Sequence, residues 1–515
     1  MASRRDELNA YTFAKRRMVA QFLCPGPAGS DEGAPRPLRA VVPGAVAGAV
    51  ILAGFGAWGM FSPVAPRDWD TPYEHVIVAD KSTTRYVVLR TGGRKQLHPV
   101  LNMSSARLLL APGKDEVISV GEAVLDSGGI PHGATLGIPY APDRLPDKKE
   151  AGAKKRWAVC ERPVQGGRAI QRAAFVLAAR DLRRTEGKNR PRGGELIHVE
   201  GPGPDRTRYV VDAAGRAYPV RKRELLLRTL TGDRAPQRVS AAWLGTLHLG
   251  DTIDFPPLPG DPGADAGVPG RLPPGANRVG MVLAATSGTR TRRYVVLSGR
   301  VAPVSDFVAK LLLNSRALLG LGQDGRARHV SAGAFAPGAP FGRNLDWPTH
   351  EPRPVNSASA APGSRDTVCV VLRGVAPAGG ATTLSTWAGT RFPATLPTGS
   401  SSAYVTPGSG QLFRQFKGAA THSGPLFLVT DTGLRYAMQS NGDSGDSGNG
   451  VRGDAEAGAS GSAEEQERRR LEARQAQNRL GYADVVPAPV PAAWSGLLPT
   501  GPRLSTGAAR RPQGS

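Results

Sequence analysis

The sequence is poor in the residues from which sites are usually built. Its 515 residues include three cysteines and eight histidines, and aromatics make up 6%. The histidines are scattered singly, without the spacing of a zinc or other metal centre. Asp443 and Asp446 do not complete a calcium loop. Sparse aromatics disfavour a sugar-binding or base-stacking surface. No G-x-x-x-x-G-K-[ST] occurs. The two Gly-Lys pairs, Gly113-Lys114 and Gly187-Lys188, have Leu108 and Leu182 where the upstream glycine is required, so no phosphate-cradling loop is written. "GDSG" from Gly442 has the letters of a protease nucleophile loop, but it stands in low-complexity sequence without a matching histidine segment. "RGD" at Arg452 falls in the same stretch. The sequence therefore offers no catalytic residue, no metal ligand and no identifiable cofactor-binding residue.

Acidic residues are also the minority, 43 against 66 Lys and Arg, giving a net charge of +23. Clustered basic charge suits phosphate backbones. Here the arginines decorate loops throughout, and no nucleic-acid motif or aromatic interleaving accompanies them, so nucleic acid is not expected as a partner. Glycine and proline are abundant, 65 and 45, about a fifth of the chain against a usual ~12%. That argues for short elements and many turns rather than a helical bundle. A hydrophobic content of 40% still suffices for packed cores.

Residues 40–66 carry no charged side chain, and their apolar heart reads "AVVPGAVAGAVILAGFGAWGMF". About 20 residues of helix cross a ~30 Å hydrocarbon core, so a transmembrane helix is expected over 40–62, with Trp58 and Phe61 at the far interface. The preceding arm is long for a signal peptide, and "FSPVAPRD" is a poor cleavage site, so the anchor is expected to be retained. Seven Lys and Arg in residues 1–39 put the N-terminus in the cytoplasm and the bulk of the chain outside the cytoplasmic membrane. The arm "RRDELNAYTFAKRRMVAQFL" places Leu8, Tyr11, Met18 and Phe22 near one helical face, which predicts a basic amphipathic segment suited to anionic lipid or a partner helix. With this topology Cys24 stays a thiol. Cys160 and Cys369, both outside and both in apolar strand-like runs, are expected to form one disulfide.

One phrase recurs. "RYVVLRTGGRKQLHPV" begins at Arg85, "RYVVDAAGRAYPV" at Arg208 and "RYVVLSGRVAPV" at Arg293, with a weaker copy, "LFLVTDTGLRYAM", at Leu426. Each reads strand, tight turn, strand. The repeat signature is Tyr86 with Pro99, Tyr209 with Pro219, Tyr294 with Pro303, and Phe427 with Tyr436, where Ala437 stands in place of proline. A leucine-rich helix follows the first three copies. In the third, Phe307, Val308, Leu311 and Leu312 share a face behind Ser305 as N-cap. The spacings of 123, 85 and 133 residues exclude a solenoid. The two long intervals hold Cys160 and Cys369, which predicts a core domain built from distant segments.

The expected organisation is an α+β chain. It has an arm (1–39), an anchor (40–62), repeat 1 (72–146), a discontinuous β-rich core (154–190 and 364–418), repeat 2 (195–260), repeat 3 (275–350) and repeat 4 (423–439 and 480–505). Residues 440–479 are expected to be a flexible insert ending in a short solvated helix. The outer region is expected to be elongated, with near two-fold internal symmetry.

In this order the arm, the single apolar segment, "RYVVLRTGGRKQLHPVLNMSSARLLL", "LGIPYAPDRLP", the paired cysteines and the C-terminal "LLPTGPRLS" resemble the EccB family. These are single-pass components of actinobacterial type VII secretion membrane complexes. The resemblance spans almost the whole chain. It departs at the 440–479 insert and at the proline missing from the fourth repeat. It implies a channel subunit that assembles, as a homo-oligomer, with the motor ATPase EccC, with EccD and EccE, and near a mycosin protease. It also implies four outer repeats similar to phage-lysin cell-wall-binding modules around a core. Two other readings follow from it: an ATP-hydrolysing component, a common label in the family, and a cell-wall anchor. No residue here matches a nucleotide motif on which ATP could be placed.

Overall fold

The computed structural model describes residues 4–23, 37–61, 65–164, 169–358, 364–397, 402–438 and 463–513. Cys24, "GDSG" and "RGD" lie outside them. The chain forms two compact units. One comprises the residues up to Trp69 with Ala79–Lys81 and Ser119–Gly129, and the other comprises the remainder.

The first unit includes the two long helices α1 (Arg4–Leu23) and α2 (Pro37–Phe61). α1 buries no residue. At about 100° per residue, Arg4 and Lys15 fall on the same side as Leu8, Tyr11, Met18 and Phe22, while Phe13 falls opposite. The apolar face anticipated for the arm is therefore interrupted by charge. α2 exposes Val42, Val46, Val50, Leu52 and Phe55, so apolar side chains leave it on all sides. Among the described residues no helix is long and apolar enough to cross a membrane.

The described residues beyond Trp69 form five small sheets. In the first module β1 (His75–Ala79), β2 (Arg85–Thr91), β3 (Arg94–Val100), α3 (Met103–Leu109) and β4 (Glu116–Val120) form a sheet of order β3-β2-β1-β4, and the one-turn helices α4 (Glu122–Leu125) and α5 (Lys148–Gly152) follow. β5 (Arg156–Val164) and β6 (Ala169–Leu177) then make a long hairpin. The second module has β7 (Glu195–Glu200), β8 (Arg208–Val211), β9 (Arg216–Val220), α6 (Glu224–Thr231), β10 (Gln237–Arg238), α7 (Ala241–Leu244) and β11 (His248–Leu249). The third has β12 (Val282–Ser287), β13 (Arg290–Leu297), β14 (Arg300–Val304), α8 (Asp306–Leu313) and β15 (Arg328–Ser331). β16 (Arg353–Pro354) returns to pair with β7. β17 (Thr367–Val375), β18 (Thr382–Gly389) and β19 (Ala403–Val405) join the long hairpin in a sheet of order β18-β17-β5-β6-β19. The fourth module has β20 (Gln411–Phe416), β21 (Leu426–Val429), β22 (Arg435–Ala437), α9 (Ala463–Arg479), β23 (Ala488–Pro491) and α10 (Ala492–Ser495), and α11 (Thr506–Ala509) ends the chain.

The four modules share one topology. Three strands run as an antiparallel meander, a helix follows, and a fourth strand lies beside the first. The sheet order is third, second, first, fourth in every case. The fourth strand is parallel to the first in modules two, three and four. The exit segment then bridges the outer edge of the third strand, at Leu97 with His132, Val220 with Ile253, Val301 with Pro337 and Arg435 with Thr500. That covers an edge otherwise open to aggregation. The meander turns carry Gly93, Gly215, Gly299 and Gly433, all at positive φ, as tight hairpins demand.

The repeated phrase has a structural meaning. Tyr86 is opposite Pro99, Tyr209 opposite Pro219 and Tyr294 opposite Pro303, each at the same register of its hairpin. In the fourth module Phe427 is opposite Ala437, and Tyr436 pairs one position away with Leu428.

Two segments differ from expectation. The core was expected to run to residue 418, but β20 pairs with β21 and β23 and is the first strand of the fourth module. Residues 463–479, expected to end a flexible insert in a short solvated helix, form the 17-residue helix α9, which is docked rather than solvated. Ala473 and Ala476 of α9, with Leu480 and Tyr482 just beyond, are buried against Leu108 and Leu109 of the first module. Small alanines at i and i+3 allow a helix of low overall hydropathy to dock closely.

Candidate functional site: the disulfide-linked sheet

Sequence places β5 and β17 more than 200 residues apart, yet they are the central pair of the five-stranded sheet. Cys160 stands directly opposite Cys369, and a disulfide joins them with an S–S distance of 2.01 Å across a sequence separation of 209. Both are fully buried. Their face packs with Ala158, Phe175, Val371 and Trp387. The opposite face, Trp157, Val159, Val368 and Val370, packs with Trp243 of the second module and with Phe413 and Trp494 of the fourth. The sheet is thus a hub on which two modules sit.

Several polar groups at this interface are satisfied across the modules. The Trp243 indole N–H donates to the Val159 carbonyl at 3.2 Å, and the Trp157 indole donates to Gln411 Oε1 at 2.9 Å. Glu161 is buried on β5. It accepts from the Ser240 N–H at 2.8 Å and from the Ser240 hydroxyl at 2.6 Å, at the start of α7. Burial pushes its carboxyl up, against the pull of the two Ser240 hydrogen bonds and the more distant Arg172. Thr386 on β18 donates from its hydroxyl to the Asp212 carbonyl at 3.0 Å and from its N–H to the Ala213 carbonyl at 3.2 Å, fastening the β8–β9 turn to the sheet.

The remaining contacts form two pairs. The second and third modules meet through Leu226 and Leu230 of α6 against Phe307 and Leu311 of α8. The first and fourth share a cluster that includes Val87, Leu109, Leu412, Leu428 and Tyr436. Tyr482, after α9, donates its hydroxyl to the Pro146 carbonyl at 2.6 Å.

Charged groups beside the hub are arranged as braces. Glu186 accepts from Arg156 at 2.6 Å and Arg190 at 3.0 Å, and also from Arg373. Burial alone would raise its carboxyl. Arg373, then Arg190 and Arg156, more than offset this and hold it below the usual range. Asp181 accepts from Arg184 at 2.7 Å, Thr406 at 2.8 Å and Tyr404 at 3.0 Å. Every acceptor oxygen here is engaged by fixed donors, an arrangement for holding loops rather than for moving protons.

Among the described residues no group of three or more His, Cys, Asp or Glu is placed to hold a metal. Lys114 pairs with Glu74 at 3.0 Å, and Lys188 lies in a single 3-10 turn. Surface depressions among the described residues include two. One lies between loops 377–379 and 419–423, and the other between β20, β21 and α9. The hub contacts of Glu161, Ser240, Trp243 and Asp212 escaped sequence reasoning, because each joins segments that are remote in sequence.

A buried, cross-linked sheet with two modules packed on it, in a chain that holds four copies of one small fold, defines a repeat-built scaffold protein. The chain belongs to the family described as type VII secretion system ESX-1, transport TM domain B, which matches residues 1–514. The ESX-3 secretion system ATPase EccB3 of Mycolicibacterium smegmatis is 29% identical over 429 residues, 78% of this chain and 77% of that protein. Solved structures share the fold. An EccB3 dimer from the ESX-3 core complex matches with a TM-score of 0.52 at 22% identity, covering 85% of this chain and 100% of that one. A chain of an intact ESX-5 inner membrane complex matches with a TM-score of 0.55 at 19% identity, covering 100% of this chain and 96% of that one.

Proposed function

We propose that this chain is a membrane-anchored structural subunit of a type VII secretion complex, and that it contributes its modules to the channel assembly. The observation that carries the reading is the family match along the whole chain. The cross-braced hub, in which polar groups are spent on holding modules together, supports it.

In this reading α2 and its flanking residues are the single span. Its apolar side chains point outward on all sides, which suits lipid or a neighbouring helix and is costly in water. The seven basic residues of the arm hold the N-terminus in the cytoplasm. The disulfide supports the same topology, since such bonds persist outside the cytoplasm. The outer region is a core with four repeat domains. Its partners are further copies of the chain, the motor ATPase EccC, EccD, EccE and a mycosin, with the cell wall within reach. The reading assigns no cofactor and no catalytic residue. The test is protease added to intact spheroplasts. Loss of the repeats with survival of the arm supports the topology, and full protection of the region around Tyr294 overturns it.

A further inference from the structure

The depression beside α9 is a cleft of about 310 Å³ whose lining includes Arg414, Arg470, Arg474, His422, Glu467 and Leu471. Three guanidiniums therefore face one carboxylate. Arg414 rises from β20 opposite Leu426 and donates to the Gly424 carbonyl at 3.0 Å. Gly424 has φ +114°, and a Cβ there would lie 2.1 Å from the Gln415 carbonyl oxygen, so only glycine lets this loop lie close enough to β20 to receive Arg414. Arg470 and Arg474 are one turn apart on α9, on the same face. Glu467 pairs with Arg470 at 3.8 Å. Arg474 has no carboxylate partner among the described residues. Burial, and then the charges of Arg470 and Arg474, hold the Arg414 guanidinium below its ordinary range.

Arg414 is half-buried and has the exposed Arg470 and Arg474 beside it, and a like-charge cluster against a partly buried group is costly unless something neutralises it. Arginine forks match the oxygens of phosphate and carboxylate groups. Three arginines against one glutamate leave room for two negative charges, and a phosphate monoester carries about −1.5 to −2. No Phe, Tyr or Trp is among the cleft's lining residues, and His422 is the one ring there, so a nucleobase would find little to stack on.

We infer that the cleft between β20, β21 and α9 binds a phosphoryl group through Arg414, Arg470 and Arg474. The donor is either a free phosphate ester or a phosphate carried on a cell-envelope polymer.

The test uses the full chain in detergent, titrated with inorganic phosphate, glycerol 3-phosphate and a poly(glycerol phosphate) chain, with binding read by calorimetry and by the shift in Tm. Saturable binding at one site per chain is expected, weakened roughly tenfold or more in R470Q/R474Q. Both arginines are exposed, so the unliganded Tm of that variant should stay at the wild-type value. If it falls, the single variant R474Q, at the residue without a partner, must show the weakening. Equal affinity per phosphate for monomer and polymer assigns the site to free esters, and much tighter polymer binding assigns it to the envelope. Absence of saturable binding, or equal binding by wild type and the arginine variants, overturns the inference. So does ATP binding more tightly than inorganic triphosphate.

Discussion

Ser240 gives both its backbone N–H and its hydroxyl to the buried carboxylate of Glu161, at 2.8 and 2.6 Å, and so fastens the second module to the disulfide-linked sheet. Its hydroxyl also accepts from the Trp243 N–H at 3.1 Å, capping the helix that carries the hub's central tryptophan. Glu161→Ala leaves the Ser240 N–H buried without a partner, which costs about 1–3 kcal/mol. Because burial raises the Glu161 carboxyl, its contribution is greatest at low pH and is lost as pH rises through the raised value. Glu161→Gln should therefore be neutral or stabilising at pH 7. Urea unfolding followed by tryptophan fluorescence distinguishes the two variants, and equal destabilisation by both contradicts this assignment.

His198 gives the opposite slope. It is buried on β7 with neither ring nitrogen hydrogen-bonded at normal distance among the described residues, and burial, then Arg208, pull its pKa from 6.5 to about 4 against a weaker upward pull from the Arg234 backbone. The folded protein keeps the ring neutral while the unfolded chain takes up a proton below about pH 6.5. Stability from this group is full above that value and is lost progressively toward about pH 4, by at most ~3 kcal/mol. His198→Leu should flatten the fall in Tm between pH 6.5 and 4. A profile unchanged in the variant rejects the assignment.

Removing the disulfide by Cys160→Ala with Cys369→Ala should lower stability by about 2–5 kcal/mol, because the bond closes a loop of 209 residues across the hub. Non-reducing peptide mapping of the native chain should recover Cys160 joined to Cys369 and Cys24 alkylatable. Recovery of both outer residues as thiols contradicts this.

Phe307→Ala should cost about 3–5 kcal/mol and should loosen the third module from the second, because Phe307 sits between α8 and α6 with Leu226 and Leu230. Hydrogen exchange should rise first across residues 282–331 while the five-stranded sheet stays protected. Uniform exposure of both regions argues against a separable module.

Sequence was most legible where chemistry is local. The Ser305 cap could be read from its position before an apolar stripe, and its hydroxyl accepts from the Val308 N–H at 3.2 Å. The four residues of that stripe are all buried, but they divide their work. Phe307 and Leu311 face α6, while Val308 and Leu312 face their own sheet. Periodicity marks an apolar face without naming what covers it. The tyrosine and proline positions stood out because turn glycines fix the hairpin register between them. The first strand of each module did not, since "HVIVA" and "VLAATS" have no turn signature of their own. β20 was read as core because nothing local tells which sheet a strand joins. α9 read as solvated because its contacts are alanines, whose burial leaves almost no hydropathic signal. The arginine cleft was invisible, as Arg414 meets Arg470 and Arg474 only through the fold.

This chain is a structural subunit of a type VII secretion system. Affinity purification of the tagged full-length chain from gently solubilised membranes, with sizing and identification of what accompanies it, tests that most directly. The chain should elute in a high-mass assembly holding several copies of itself with other secretion components, and cells lacking it should fail to export their secreted substrates. A chain that elutes alone as a monomer, from cells whose export does not depend on it, is incompatible with such a role.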